Sequence, residues 1–310
     1  AGLTVNFRGA DVAGTADTAK VEISGVGSSV LAAGDTSPTV TTPVITLGTG
    51  VEGVSVTTSG TNYVKVTAPA LATKLTVTGS GTNTITPDGF AQTSTIDASA
   101  ATGTNLFKLG TNLTTGDTIT GGSGTDTVEV VNSGTQSALA VTGVETLRLA
   151  SGSTGTLSFA ANPALTTVDF RAGNNANTLT GLTALPNVKY TGDASLTYAT
   201  NFGALSLTTA QTGTNDSLAV SIGNQGNTIA GGYNVGAIGA NAIENITVTQ
   251  ADMLASQTTT LAKISDTGLK TLAITTPGSL AWSGLSTFAS SVPGFTGTAS
   301  TAGSNTVTSI

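Results

Sequence analysis

The sequence predicts an all-β chain folded as a right-handed parallel β-helix, or β-solenoid, with coils of about 20 residues. Three observations carry that prediction. Apolar pairs two residues apart return at nearly constant intervals, as Val128/Val130, Leu147/Leu149, Val168/Phe170, Val188/Tyr190 and Leu205/Leu207, spaced 19, 21, 20 and 17 residues. The i, i+2 spacing puts both members of a pair on one face of a strand, and a repeated period marks coils that bury their apolar face only by stacking. Composition agrees: 38% of residues are hydrophobic, which excludes a disordered chain, but only 4% are aromatic and 9% charged, and Thr and Val favour pleated backbone. Finally, Asp88-Gly89 is the one hairpin-type dipeptide between alternating runs, whereas solenoid corners need only loose Gly and Asn. Stacked immunoglobulin-like sandwiches are the competing architecture, because they also bring a strand roughly every 8 to 12 residues. Sandwich-like additions to the solenoid are therefore kept open.

Residues 1–115 read as a β-rich repeat unit. Its strands are LTVNF (3–7), AKVEIS (19–24) and TVTTPVITL (39–47), followed by GVEGVSV (50–56) and ALATKLTVTG (70–79). Residues 116–210 form the regular solenoid, in which ALTTVDFRAG (164–173) and ALPNVKYTGD (184–193) align residue for residue 20 apart. Residues 211–310 are a degenerate β-repeat unit, with GTNDSLAV (213–220), AIENITV (242–248) and GLKTLAITT (268–276). One short helix is predicted, TQADMLASQ (249–257), with Thr249 as N-cap and Asp252 at N3.

Charge narrows the function classes. Seventeen acidic and ten basic residues are scattered singly, for a net charge of −7, so no basic patch exists to release counterions from phosphates or to bind anionic lipid. Nucleic acid is therefore not an expected partner. Membrane insertion is not expected either, since no apolar run approaches the roughly 18 to 20 residues that span a bilayer. The chain has neither Cys nor His, which removes disulfides, thiolate metal sites and the commonest general base. It begins at Ala1 rather than Met, and no export signal opens it, which predicts a processed product or a piece of a longer protein.

The most specific motif is GGSGTDTVE (121–129), with Asp117 nine residues before Asp126 and Ile119 nine before Val128. Glycines permit tight turns that aim carbonyl oxygens inward, and Asp offers the hard anionic oxygen that calcium prefers; the alternative is a vestigial turn whose Asp126 caps backbone N–H groups. The preceding turn keeps Gly116 and Asp117 but has Asn112, Leu113, Thr114 and Thr115 where further glycines would complete a tandem copy. GDTITGGSGTDTVEVV followed by GVETLRL resembles the surface-layer and adhesin members of the RTX superfamily, nearest to the proteobacterial S-layer proteins of the Caulobacter type. That resemblance implies a secreted structural protein at the bacterial cell surface that self-assembles with calcium. It implies Gly116, Asp117, Gly121, Gly122, Gly124 and Asp126 as calcium-binding or ligand-positioning residues. Its partners would be further copies of the chain and a cell-surface polysaccharide, with an adhesin or receptor-type stalk that binds glycans as the alternative. No enzymatic activity is expected.

Other positions read as structural. Corners written with Asn, in GSGTNTI (79–85), NNANTL (174–179), GNQGNTI (223–229) and GSNTV (303–307), predict amide ladders and Asx turns. Glu52, Glu145 and Glu244 share a GVE-like context and are expected to orient turns through backbone groups or Lys. A polysaccharide-active enzyme would need clustered carboxylates with cations. Asp126, Glu145, Asp169 and Asp193, with Arg148, Arg171 and Lys189, meet that description in spacing, but read first as a solvated row of alternating charge.

Overall fold

The computed structural model describes residues 2–6, 12–30, 39–90, 94–161, 165–192, 200–209, 213–223, 233–240, 243–250, 258–261, 264–265, 271–275, 279–282 and 298–299. Every regular element among them is a strand. Strands pair in two long sheets of 12 and 11 members, each strand lying beside the next but one along most of the chain, so the chain passes from one sheet to the other and back once per coil. The protein is a parallel β-solenoid. Antiparallel pairing is confined, among the described residues, to Ser28–Val30 with Thr39–Thr41 and Ser279–Trp282 with Thr298–Ala299. Asp88-Gly89 makes a corner, not a hairpin: Gly89 has φ +74° and the next strand, Thr95–Asp97, belongs to the other sheet.

Contacts divide the chain into two units. The first comprises Ala1–Val130, Gln136–Leu147 and Phe159–Leu165. One of its sheets contains Thr61–Thr67, Thr82–Asp88, Asn105–Gly110 and Thr127–Val130, where Val64 pairs with Ile85, Ile85 with Phe107 and Phe107 with Val128, in steps of 21, 22 and 21 residues. The opposite sheet steps from Val54 to Leu75, Ile96, Ile119 and Val141. Val54, Val56, Val64, Val66, Leu75, Val77, Ile85, Phe107 and Ile119 are at most 1% exposed, while the intervening Thr and Ser residues face out. Parallel sheets covered on both faces read as continuous apolar runs. Here one face is open to solvent, so the strands alternate, which is why an i, i+2 reading finds them. No coil can shield its apolar residues alone, and burial of each Val, Leu or Ile is worth about 1.5–3 kcal/mol only once a neighbour is stacked.

The second unit comprises Val131–Thr135, Arg148–Ser158 and Thr166–Ile310. Val168 pairs with Val188 at the 20-residue step, but Val188 pairs with Val220, Leu218 with Ile246 and Ile246 with Leu272, in steps of 32, 28 and 26. The extra residues build a third parallel sheet of Thr200–Phe202, Tyr233–Val235, Thr258–Leu261 and Ser279–Trp282. The addition is thus a third solenoid face rather than a sandwich. It also corrects the predicted ladder: Leu205/Leu207 does not follow Val188/Tyr190 but lies in the opposite sheet, with Leu207 beside Leu179. A wider coil has more interior to fill, and aromatic rings fill it. Phe170, Tyr190, Phe202 and Tyr233 are buried with successive ring centroids 5.5, 5.2 and 6.3 Å apart.

The helix expected at 249–257 is overturned where it can be seen. Thr249, its candidate N-cap, and Gln250 continue the strand Asn245–Gln250, with Thr249 opposite Thr275. Pairing with a strand on each side, Ser217–Gly223 and Thr271–Thr275, outweighs local capping propensity. Residues 251–257 lie outside the described residues.

Candidate functional site

Four successive strands of the first unit's first sheet open on a corner written G-T-N or G-T-D. Gly60-Thr61-Asn62, Gly81-Thr82-Asn83, Gly103-Thr104-Asn105 and Gly124-Thr125-Asp126 recur at 21, 22 and 21 residues. GTDT is therefore the fourth copy of a corner whose earlier copies carry an amide. Sequence reading singles out Asn83 and passes over Asn62 and Asn105, although their GTN triplets carry the same signal at the coil period.

Stacking turns these four residues into one buried ladder. Asn62 Nδ2 donates to Asn83 Oδ1 (2.9 Å), Asn83 Nδ2 to Asn105 Oδ1 (2.8 Å) and Asn105 Nδ2 to Asp126 Oδ1 (2.8 Å). None of the four is more than 2% exposed. Buried amides must be paired, and the parallel register supplies a partner one coil away for each. The glycines clear the way: a Cβ on Gly103 would collide with the Gly81 carbonyl oxygen, and one on Gly124 with the Gly103 carbonyl oxygen. Gly121 and Gly122 are similarly pressed against the carbonyl oxygens of Gly143 and Ala101.

Asp126 closes the ladder. Its Oδ1 accepts both the backbone N–H and the side-chain amide of Asn105 (2.8 Å each), and Oδ2 accepts the Gly122 N–H (2.6 Å). Asp117 is built the same way at a different corner: Oδ1 accepts the Ser94 N–H (2.7 Å) and Oδ2 the Thr114 N–H (2.6 Å), with the two hydroxyls at 3.4 and 3.1 Å. Asp117 precedes the strand Thr118–Thr120 of one sheet and Asp126 the strand Thr127–Val130 of the other. Gly116 (φ +88°) sits beside Asp117, whereas Gly121, Gly122 and Gly124 belong with Asp126. The six predicted residues therefore serve two corners rather than one cage.

The three GVE-like glutamates do one job. Glu52, Glu145 and Glu244 each reach back one coil so that Oε2 accepts the backbone N–H of Asp17, Asp126 and Asp216, at 2.8, 2.7 and 2.8 Å. Each glutamate's own N–H returns a bond to the same aspartate's carbonyl, at 3.0, 3.2 and 3.2 Å. The turn-orienting role expected for them is met by backbone groups.

On the second unit's outer face, Asp169 Oδ2 lies 2.9 Å from Arg148 Nε, 3.0 Å from an Arg171 terminal nitrogen and 3.1 Å from Arg171 Nε. The Asp169 side chain is 8% exposed, and Lys189 is its register partner on the next strand. In the first unit, Lys108 pairs with Glu129 at 3.5 Å. The expected solvated row is not what forms: Asp126 and Asp169 are buried, Asp169 is tied to two guanidiniums, and Asp126 and Glu145 accept bonds from backbone and amide groups instead, while Asp193 lies outside the described residues.

A cavity of about 30 Å³, lined by Phe90, Ile96, Leu109, Asn112, Asp117 and Ile119 among others, has room for a water or two. No group of three or more Asp or Glu side chains suited to a metal ion occurs among the described residues. No protein-family profile matches the chain, and comparison with curated proteins and with solved structures likewise yields no match.

Proposed function

We propose that this chain is a structural segment of a self-assembling bacterial surface protein of the surface-layer type, whose work is to hold a repeated β-solenoid face outside the cell. The observation that carries this reading is where the polar chemistry is spent. In a chain with 9% charged residues, the ladder asparagines, Asp117, Asp126, the three bracket glutamates and Asp169 are all engaged in joining one coil to the next or in ion pairs on the outer face. The outward faces of the described strands present Thr, Ser and single charges, a hydroxyl-rich surface suited to repeated contact with other copies of the chain. The alternative, a stalk that binds glycans, draws on the same extended faces.

Electron microscopy of the purified chain over a concentration series tests this. Ordered sheets or filaments are the expected result. A monodisperse monomer at every concentration, together with selective binding on a glycan array, would replace the assembly reading with the stalk.

A further inference from the structure

The residues of the RTX-like motif do not fit a calcium ion in the arrangement the fold gives them. Calcium takes six to eight oxygen ligands, roughly 2.3–2.6 Å away. Around Asp126 the fold instead directs three N–H groups at the carboxylate, two from Asn105 and one from Gly122. Around Asp117 it directs the N–H groups of Ser94 and Thr114. Each such donor places partial positive charge where a cation would have to sit. The glycines that the motif shares with calcium-binding repeats have another cause here, since the carbonyl oxygens of neighbouring coils occupy the space of their missing side chains.

We infer that Asp126 performs without metal the joining of coils that calcium performs in the repeats this motif resembles: it is the fixed, acceptor-only terminus of the amide ladder that begins at Asn62. An amide side chain both donates and accepts, so each ladder asparagine passes a bond on: the Val26 N–H enters at Asn62 Oδ1 (3.1 Å), and each amide nitrogen also donates to the carbonyl two residues back, at Gly60, Gly81 and Gly103. A carboxylate offers acceptors alone, and charge-assisted bonds are the stronger kind. With Asp126 at the end, Asn105, Asn83 and Asn62 all point their amide nitrogens toward it. Isosteric Asn cannot replace it. With its oxygen toward Asn105, its NH₂ meets the Gly122 N–H; flipped, its NH₂ meets both Asn105 donors.

The test is calorimetric and independent of whether the chain assembles. Wild-type protein is melted in millimolar calcium and in chelator, and calcium is titrated into it by isothermal calorimetry; Asp126→Asn is then melted in both conditions. The expected result is an unchanged wild-type melting temperature, no binding heat, and a drop on the order of 5 °C in Asp126→Asn that calcium does not alter. A wild-type melting temperature that falls in chelator, with a binding heat lost in Asp126→Asn, would overturn the inference. Should Asp126→Asn fail to fold, the wild-type titration alone decides.

Discussion

Glu145 lies one coil beyond Asp126 and accepts its backbone N–H at 2.7 Å, while the N–H groups of Glu145 and Thr146 return bonds to the Asp126 carbonyl at 3.2 and 3.1 Å. Asp126 therefore faces both neighbours, its side chain turned to the coil before and its backbone to the coil after. Glu145→Ala strands a buried N–H and should cost about 1–3 kcal/mol, whereas Glu145→Gln keeps an acceptor oxygen and should cost under about 1 kcal/mol. The same ordering is expected for Glu244, which is 7% exposed, with Asp216 as its partner. Urea denaturation of the paired variants checks it, and equal losses for Ala and Gln would show that the glutamate acts through its charge instead.

The period was legible in sequence because the apolar pairs sit in strands with one solvated face, so burial imprints a strict alternation on Val128/Val130 and Val168/Phe170. The place where the period changes was not. Leu205/Leu207 has the same spacing and chemistry as the pairs before it, and nothing local to those residues says that the chain has first made the extra strand Thr200–Phe202. The better signal was the aromatic clustering of Phe170, Tyr190 and Phe202, since several rings stacked on successive coils need a wider interior than the single Phe107 does. Among polar residues, the resemblance drew attention to Asp126 as a metal ligand and away from its likeness to Asn62, Asn83 and Asn105. Composition at a single motif could not show that the donors around that carboxylate come from a neighbouring coil.

The glycine column makes a second prediction. Gly103 stacks against Gly81 so closely that a Cβ would overlap the Gly81 carbonyl oxygen, and that oxygen belongs to backbone that cannot rotate away. Gly103→Ala should therefore push coils apart at the ladder and destabilise by about 1–3 kcal/mol, as overpacking does. Gly110→Ala is the informative comparison. Its Cβ would meet nothing, but its φ of +56° disfavours a side chain, so it should lose only about 1 kcal/mol from backbone strain. Thermal melts of the two variants side by side separate steric packing from conformational preference.

The Asp169 cluster makes a third. Removing a carboxylate that two guanidiniums share leaves Arg148 and Arg171 facing each other on a part-buried surface. Asp169→Ala should cost about 3 kcal/mol, in the range for breaking a buried pair by deleting one partner. Adding Arg171→Met to that variant should recover part of the loss, because the Arg171 guanidinium that has lost Asp169 is then gone. A double-mutant cycle in denaturant measures the coupling, and additivity of the two changes would refute it.

The last prediction concerns Tyr190, whose ring is fully buried between Phe170 and Phe202 and whose hydroxyl has no hydrogen-bond partner among the described residues. An unsatisfied buried hydroxyl costs free energy that the ring's packing must offset, so Tyr190→Phe should leave the aromatic stack intact and raise stability by about 1 kcal/mol. The same burial pushes the phenol's pKa far above its ordinary value of 10.0, because desolvation opposes the phenolate. The folded state then holds a proton that the unfolded state releases, so the contribution of Tyr190 to stability is intact below about pH 10 and declines as pH rises beyond it. In Tyr190→Phe that alkaline loss should be reduced. Melting temperatures of both proteins from neutral pH to above pH 10 check the prediction: the curves should diverge in favour of Phe as pH climbs, and parallel curves would mean that the Tyr190 hydroxyl is solvated in the fold.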